Sequence, residues 1–153
     1  MAEFVFTADG VDLPLLDETL MKRWIEEVAR GFGKSVGDIC YIFCSDEKIL
    51  EVNRKFLNHD YYTDIITFDY GKLHRISGDM FISLDTVLSN SEMVGDAYQR
   101  ELFRVIIHGI LHLCGVNDKC EGEREIMEQF ENQSLDLLSQ LQNNKKRGLI
   151  MML

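Results

Sequence analysis

Ile39-Cys40-Tyr41-Ile42-Phe43-Cys44 is the stretch that decides the fold, because six consecutive residues there carry no charge. An unbroken apolar run of that length suits a central strand buried on both faces of its sheet. Ser45 follows as an N-cap, with Lys48 rather than a glutamate three residues on, so there is no full capping box. The helix it opens carries Ile49, Leu50, Val52, Asn53 and Phe56. Upstream, Phe4 to Thr7 reads as a short first strand. Leu15 to Phe32 reads as an amphipathic helix with Leu16, Leu20, Trp24 and Val28 at a four-residue period, stopped by Gly31 and Gly33. Downstream, Asp64 to Tyr70 and Asp79 to Ser83 read as two strands joined by the polar loop Gly71 to Gly78. Asp85 to about Asn90 predicts a short helix.

Tyr98 to Leu113 is too apolar for a surface helix, and Gly115 stands where a C′ glycine would end it. A last amphipathic helix runs from Glu121 to about Gln142, with Ile126, Met127, Phe130, Leu137 and Leu141 facing inward. That order predicts the α+β class, a small four-stranded mixed sheet covered by about five helices. Residues 1–144 form one domain. Residues 145–153 form a C-terminal tail that joins the basic cluster Lys145-Lys146-Arg147 to the apolar end Leu149 to Leu153.

At 153 residues, 46% hydrophobic and 27% charged, the chain has the size and balance of one globular domain. No apolar run reaches the roughly 20 residues needed to cross a bilayer. The start, Met1-Ala2-Glu3-Phe4-Val5-Phe6, lacks a basic signal region, so a cytoplasmic protein is expected. Sixteen basic residues against 26 acidic ones give a net charge of −10, which argues against sequence-blind capture of nucleic acid but leaves room for a local basic groove. Four cysteines in such a chain do not form a disulfide framework. Cys40 and Cys44 on one strand stand roughly 13 Å apart, too far for a bridge or a shared ion.

The chemistry lies in His108-Gly109-Ile110-Leu111-His112-Leu113-Cys114-Gly115-Val116-Asn117-Asp118. His108 and His112 fall on one helix face a turn apart, where two imidazoles can share a divalent ion. Gly115 allows the reversal that returns Asp118 to the same ion, and three protein ligands leave an open, catalytic type of site. Two histidines at this spacing can also be ordinary core residues; the glycine and the following oxygen ligand favour the metal. The residue after the first histidine is Gly109, where the helical metalloprotease motif needs its glutamate base. Cys114 should point away from the ion, and Cys120 is a rival ligand from the loop.

HGILHLCG, residues 108–115, resembles the HGxLHLxG signature of the YbeY endoribonucleases, bacterial ribosomal-RNA maturation factors. Tyr62-Thr63-Asp64-Ile65-Ile66-Thr67-Phe68 is similar to the family's PTDVLSF strand, and Gly78-Asp79-Met80-Phe81-Ile82-Ser83 to its GDIxIS strand. Asn53-Arg54-Lys55-Phe56 occupies the place of LNxxYR. The resemblance implies a metal-dependent hydrolase that cuts single-stranded RNA by metal-activated water, in ribosomal-RNA maturation and ribosome quality control. It implies one zinc per chain and partners among ribosomal RNA, ribosomal particles and their proteins, with no membrane. His108 and His112 fall on the first two zinc ligands.

Two positions depart from the pattern. Asp118 stands where the third histidine should be; a His₂Asp set is chemically reasonable but makes the ion a weaker Lewis acid and admits other divalent ions. Leu57 stands where the family has its arginine, so another cation must hold the phosphate, and Arg54, Lys55, His59 and Lys119 are the candidates. Thr63, Asp64 and Asp79 either line the cleft, orienting a ligand histidine, or cap turns. A ribosome-assembly factor with a structural metal is the second reading, supported by Leu57. A small metalloprotease is the third.

Overall fold

The computed structural model describes residues 2–59 and 63–151, so Tyr62 of the second motif and Met152 and Leu153 of the tail lie outside the described residues. The apolar run is the C-terminal part of β2 (Ser35–Cys44), which sits inside a four-stranded sheet with β1 (Phe4–Ala8) on one side and β4 (Arg75–Ser83) on the other. Both neighbours run parallel to it; β3 (Ile65–Asp69) closes the far edge antiparallel to β4, giving the mixed order β1-β2-β4-β3. β2 and β4 each start four residues ahead of the apolar pattern. Ser35 and Val36 pair with Arg75 and Ile76 across an irregularity before Ile39, so cross-strand hydrogen bonding extends both strands into polar sequence.

The two faces of β2 differ. Ile39, Tyr41 and Phe43 are at most 1% exposed, while Cys40 and Ile42 on the other face are only half-buried. The first face meets α1 (Glu18–Gly31), α4 (Tyr98–Leu113) and α5 (Glu123–Met151), which share the main core with it. The second is covered over part of its length by α2 (Asp46–Leu57), whose Ile49 and Val52 pack with Cys44 and Ile66 in a smaller cluster. Twelve helical residues cannot roof a four-stranded sheet, so burial on both faces holds only at the Cys44 end.

The helices begin where their caps allow. Asp17 accepts from the Leu20 amide, which starts α1 three residues later than its apolar stripe suggests. Ser45 caps α2 by accepting from the Lys48 amide at 3.2 Å, and α3 (Leu84–Val94) runs on to the left-handed Gly95. α5 continues helical through Lys145, Lys146 and Arg147, and Lys145 pairs with Asp17. Within α5, Met127, Leu135, Leu138 and Leu141 are buried, whereas Ile126 is 49% exposed and does not join the inward stripe.

α4 lies deepest. Nine of its sixteen residues are buried, and at roughly 1.5–3 kcal/mol per buried aliphatic side chain that packing outweighs any helix propensity in fixing its position. Tyr41, fully buried, donates from Oη to the Ile106 carbonyl at 2.7 Å, tying the central strand to α4 two residues before His108.

Candidate metal centre

The central strand sets the depth of α4, and the end of α4 sets the site. The chain turns through a Schellman motif: Gly115 N–H donates to His112 O and Val116 N–H to Leu111 O, each at 3.0 Å. Gly115 has φ +99°, open to glycine at little cost, and Val116 buries itself behind the turn. Three residues after the glycine, Asp118 arrives beside the two imidazoles.

His108 Nε2 lies 3.4 Å from Asp118 Oδ2, and His112 Nε2 lies 3.3 Å from the same oxygen. The ring centroids are 4.6 Å apart with the planes at 83°. Donor atoms roughly 2.0–2.1 Å from a tetrahedral zinc stand about 3.4 Å from one another, so these spacings fit a small divalent ion. Among the described residues, His108, His112 and Asp118 are the one group whose donor atoms converge in this way. Cys114 is buried on the core side, and its burial pushes the thiol up to about 11. Cys120 is exposed and bonds through its amide to Glu123. Neither thiol joins the cluster.

His108 is held from behind. Its Nδ1 lies 2.6 Å from Glu131 Oε2, and the other oxygen of Glu131 accepts from Arg104 Nη1 at 2.9 Å. Arg104 also donates through Nη2 to Asn132 Oδ1 at 2.8 Å. With the proton on Nδ1, the lone pair of His108 sits on Nε2, facing Asp118, which is the arrangement of a metal-ligating histidine backed by a carboxylate. Burial pulls the His108 pKa down, but the bond and charge of Glu131, aided by Asp64 and Asp118, outweigh it and leave it raised. His112 is lowered by burial and by His108, with Asp118 opposing. Glu131 is invisible to the motif, being 23 residues from His108. One signal was available, since Glu131 sits four residues after Met127 on the buried stripe of α5 and is itself only 8% exposed.

A cleft of about 740 Å³ opens between α3, α4 and the start of α5, with Asp64, Arg104, His108, Asp118, Arg124 and Glu131 on its walls. Asp64 thus lines the site; burial raises its carboxyl, with His108 opposing. Thr63 Oγ1 lies 3.5 Å from Asp64 Oδ1. Asp79 is elsewhere, on the half-covered sheet face, accepting from Tyr70 Oη at 3.2 Å. The cation candidates disperse. Lys119 is close enough to His112 to lower it. Arg54 and Lys55 sit in the last turn of α2 with His59 just beyond, and none of the four lines the cleft. Lys55 Nζ lies 5.4 Å from the Phe56 ring centroid.

Gly109 has its own reason. A Cβ there would stand 2.9 Å from Ile65 Cδ1 and run into the Met80 sulfur, both in the layer where α4 rests on β3 and β4. At the position that a helical metalloprotease fills with its base, a side chain would have to push Met80 and Ile65 aside.

Fold and site together define an α+β protein whose central helix and the turn after it bring together two histidines and a carboxylate that could hold a metal ion. The model of the Endoribonuclease YbeY family matches residues 12–139. Proteins named Endoribonuclease YbeY from Phocaeicola vulgatus and Bacteroides thetaiotaomicron are 63% and 62% identical over 88% and 85% of this chain, spanning 97% and 95% of their own length. One from Porphyromonas gingivalis is 49% identical over 92% of the chain and 93% of its own length. A solution structure of a Thermotoga maritima protein, 22% identical, matches with a TM-score of 0.61 over 92% of this chain and 93% of that one, and so shares the fold. The chain belongs to the YbeY endoribonuclease family. No described helix is long and apolar enough to cross a membrane.

Proposed function

We propose that this protein is a metal-dependent, single-strand-specific endoribonuclease of ribosomal-RNA maturation and ribosome quality control. The observation that carries the reading is the convergence of His108, His112 and Asp118 at 3.3–3.4 Å, backed by Glu131, in a chain of this family. A divalent ion held by these three residues supplies Lewis-acid polarisation of a phosphoryl oxygen and makes water nucleophilic near neutral pH. Zinc suits the two imidazoles, and Asp118 in place of a third leaves room for manganese or magnesium. The protein's part is to hold Nε2 of both rings free of protons and aimed at one point. Glu131 does this for His108 by accepting its other proton.

Unpaired RNA fits an open cleft better than a duplex does, and display on a ribosomal particle in the cytoplasm would offset the net charge of −10, which otherwise repels RNA. The crowding at Gly109 counts against peptide hydrolysis. The test compares wild type with His108→Ala on single-stranded RNA, with bound metal quantified in both. Metal and cleavage lost together support the nuclease. Metal lost with cleavage unchanged means that a contaminant cuts, and leaves the non-catalytic assembly factor as the better account.

A further inference from the structure

The reading above leaves open what holds the RNA, since Leu57 at the end of α2 is uncharged. The cleft beside the metal cluster has two arginines on its walls, Arg104 and Arg124. Arg104 is committed to Glu131 and Asn132. Arg124, in the first turn of α5, is exposed and makes no ion pair among the described residues. Six acidic side chains share those walls, Asp64, Glu101 and Glu128 among them, and the other three are engaged. Asp118 belongs to the donor cluster, Glu131 is bonded to Arg104 and His108, and Asp96 pairs with Arg100 at 3.3 Å. At the other wall, Met93 and Val94 close α3 with 84% and 68% of their surface in water, two adjacent apolar side chains at the mouth of a polar cleft.

We propose that the cleft between α3, α4 and α5 is the RNA-binding subsite, with Arg124 gripping a backbone phosphate next to the metal cluster and the Met93–Val94 lip receiving a base. This rests on the endoribonuclease reading and moves the phosphate contact from α2 to α5. A guanidinium presents two parallel N–H donors that match two phosphate oxygens, which a lysine cannot reproduce. An unpaired base offers a flat apolar face to the lip, and a base held in a duplex does not.

The test is binding of a short fluorescent 2′-O-methyl oligouridylate, shown intact by gel afterwards, to wild type, Arg124→Gln, Lys119→Gln and Met93→Ser/Val94→Ser over a salt series. Arg124→Gln is expected to weaken binding about tenfold or more, the loss of a charge-assisted phosphate contact. It should also flatten the slope of log affinity against log salt by about 0.7. Its metal content should match wild type. Met93→Ser/Val94→Ser should weaken binding and leave the slope as it was. Wild-type affinity and slope in Arg124→Gln, or the slope change appearing in Lys119→Gln instead, overturns the proposal and leaves the nuclease reading standing. No binding by wild type even at low salt overturns both.

Discussion

Glu131→Gln is the sharpest perturbation of the centre, because Glu131 serves two donors with two different oxygens. Oε2 faces His108 Nδ1 at 2.6 Å and Oε1 faces Arg104 Nη1 at 2.9 Å. Both partners present N–H groups, and a glutamine has one oxygen and one NH₂. Whichever way the amide turns, one donor is set against another. If the oxygen turns to Arg104, Nδ1–H of His108 loses its acceptor and the proton is free to move to Nε2, the atom that must stay bare. If it turns to His108, the bond survives without its charge and Arg104 is left against an NH₂ in a nearly buried spot. Loss of such a backing group typically costs 10–100-fold in metal affinity, about 1.4–2.7 kcal/mol. The assay is a competition titration of zinc between a chromophoric chelator and the protein, with circular dichroism to confirm the fold. Wild-type zinc affinity in a folded Glu131→Gln protein refutes the claim that Glu131 orients His108.

Two further substitutions probe what surrounds the site. Gly109→Ala gains roughly 1 kcal/mol of helix propensity but forces its methyl against Ile65 and the fully buried Met80, an overpacking worth about 1–3 kcal/mol. A net loss near 1 kcal/mol lowers Tm by roughly 2–4 °C for a chain of this size, and a Tm at or above wild type would show that the layer can give. Glu101→Gln tests burial as a pH term. Glu101 is 9% exposed, and burial raises its carboxyl above the ordinary glutamate value despite Arg104. As pH rises through that value the unfolded chain deprotonates first, so the folded state loses stability until the folded pKa is passed. The Tm advantage of metal-free Glu101→Gln over wild type should therefore grow between about pH 4 and pH 7; an advantage that does not change with pH sinks the argument.

The local parts of this molecule were readable before any coordinates. The apolar run 39–44, the caps at Ser45 and Gly115 and the His108–His112 spacing each depend on residues within one element or turn, and each stands where the pattern put it. What escaped depends on packing between elements. β2 and β4 gained polar residues through their mutual ladder. Asp79, paired opposite Phe68 in the ladder, lies on the α2 side of the sheet, whereas Asp64 stands in a bend before β3 and reaches the cleft by α4. Glu131 and Arg104 meet only because α5 lies across α4, a contact 27 residues apart that no motif spacing encodes.

That packing also explains how the centre tolerates Asp118. A carboxylate in place of a neutral imidazole removes one positive charge from whatever ion sits there, and a second carboxylate behind His108 would pull in the same direction. Glu131 does not stand alone, however: its far oxygen is paired to Arg104 at 2.9 Å, and that side chain is 22% exposed against 10% for Glu131. In a partly buried ring of charges the effective dielectric is far below that of water, so the pairing offsets much of the negative charge of Glu131 as felt by the ion. His108 keeps the geometric benefit of a strong acceptor, while an ion held there would be spared most of the electrostatic cost. Arg104 is thus occupied in pairing Glu131, and the phosphate contact proposed above falls to a different cation.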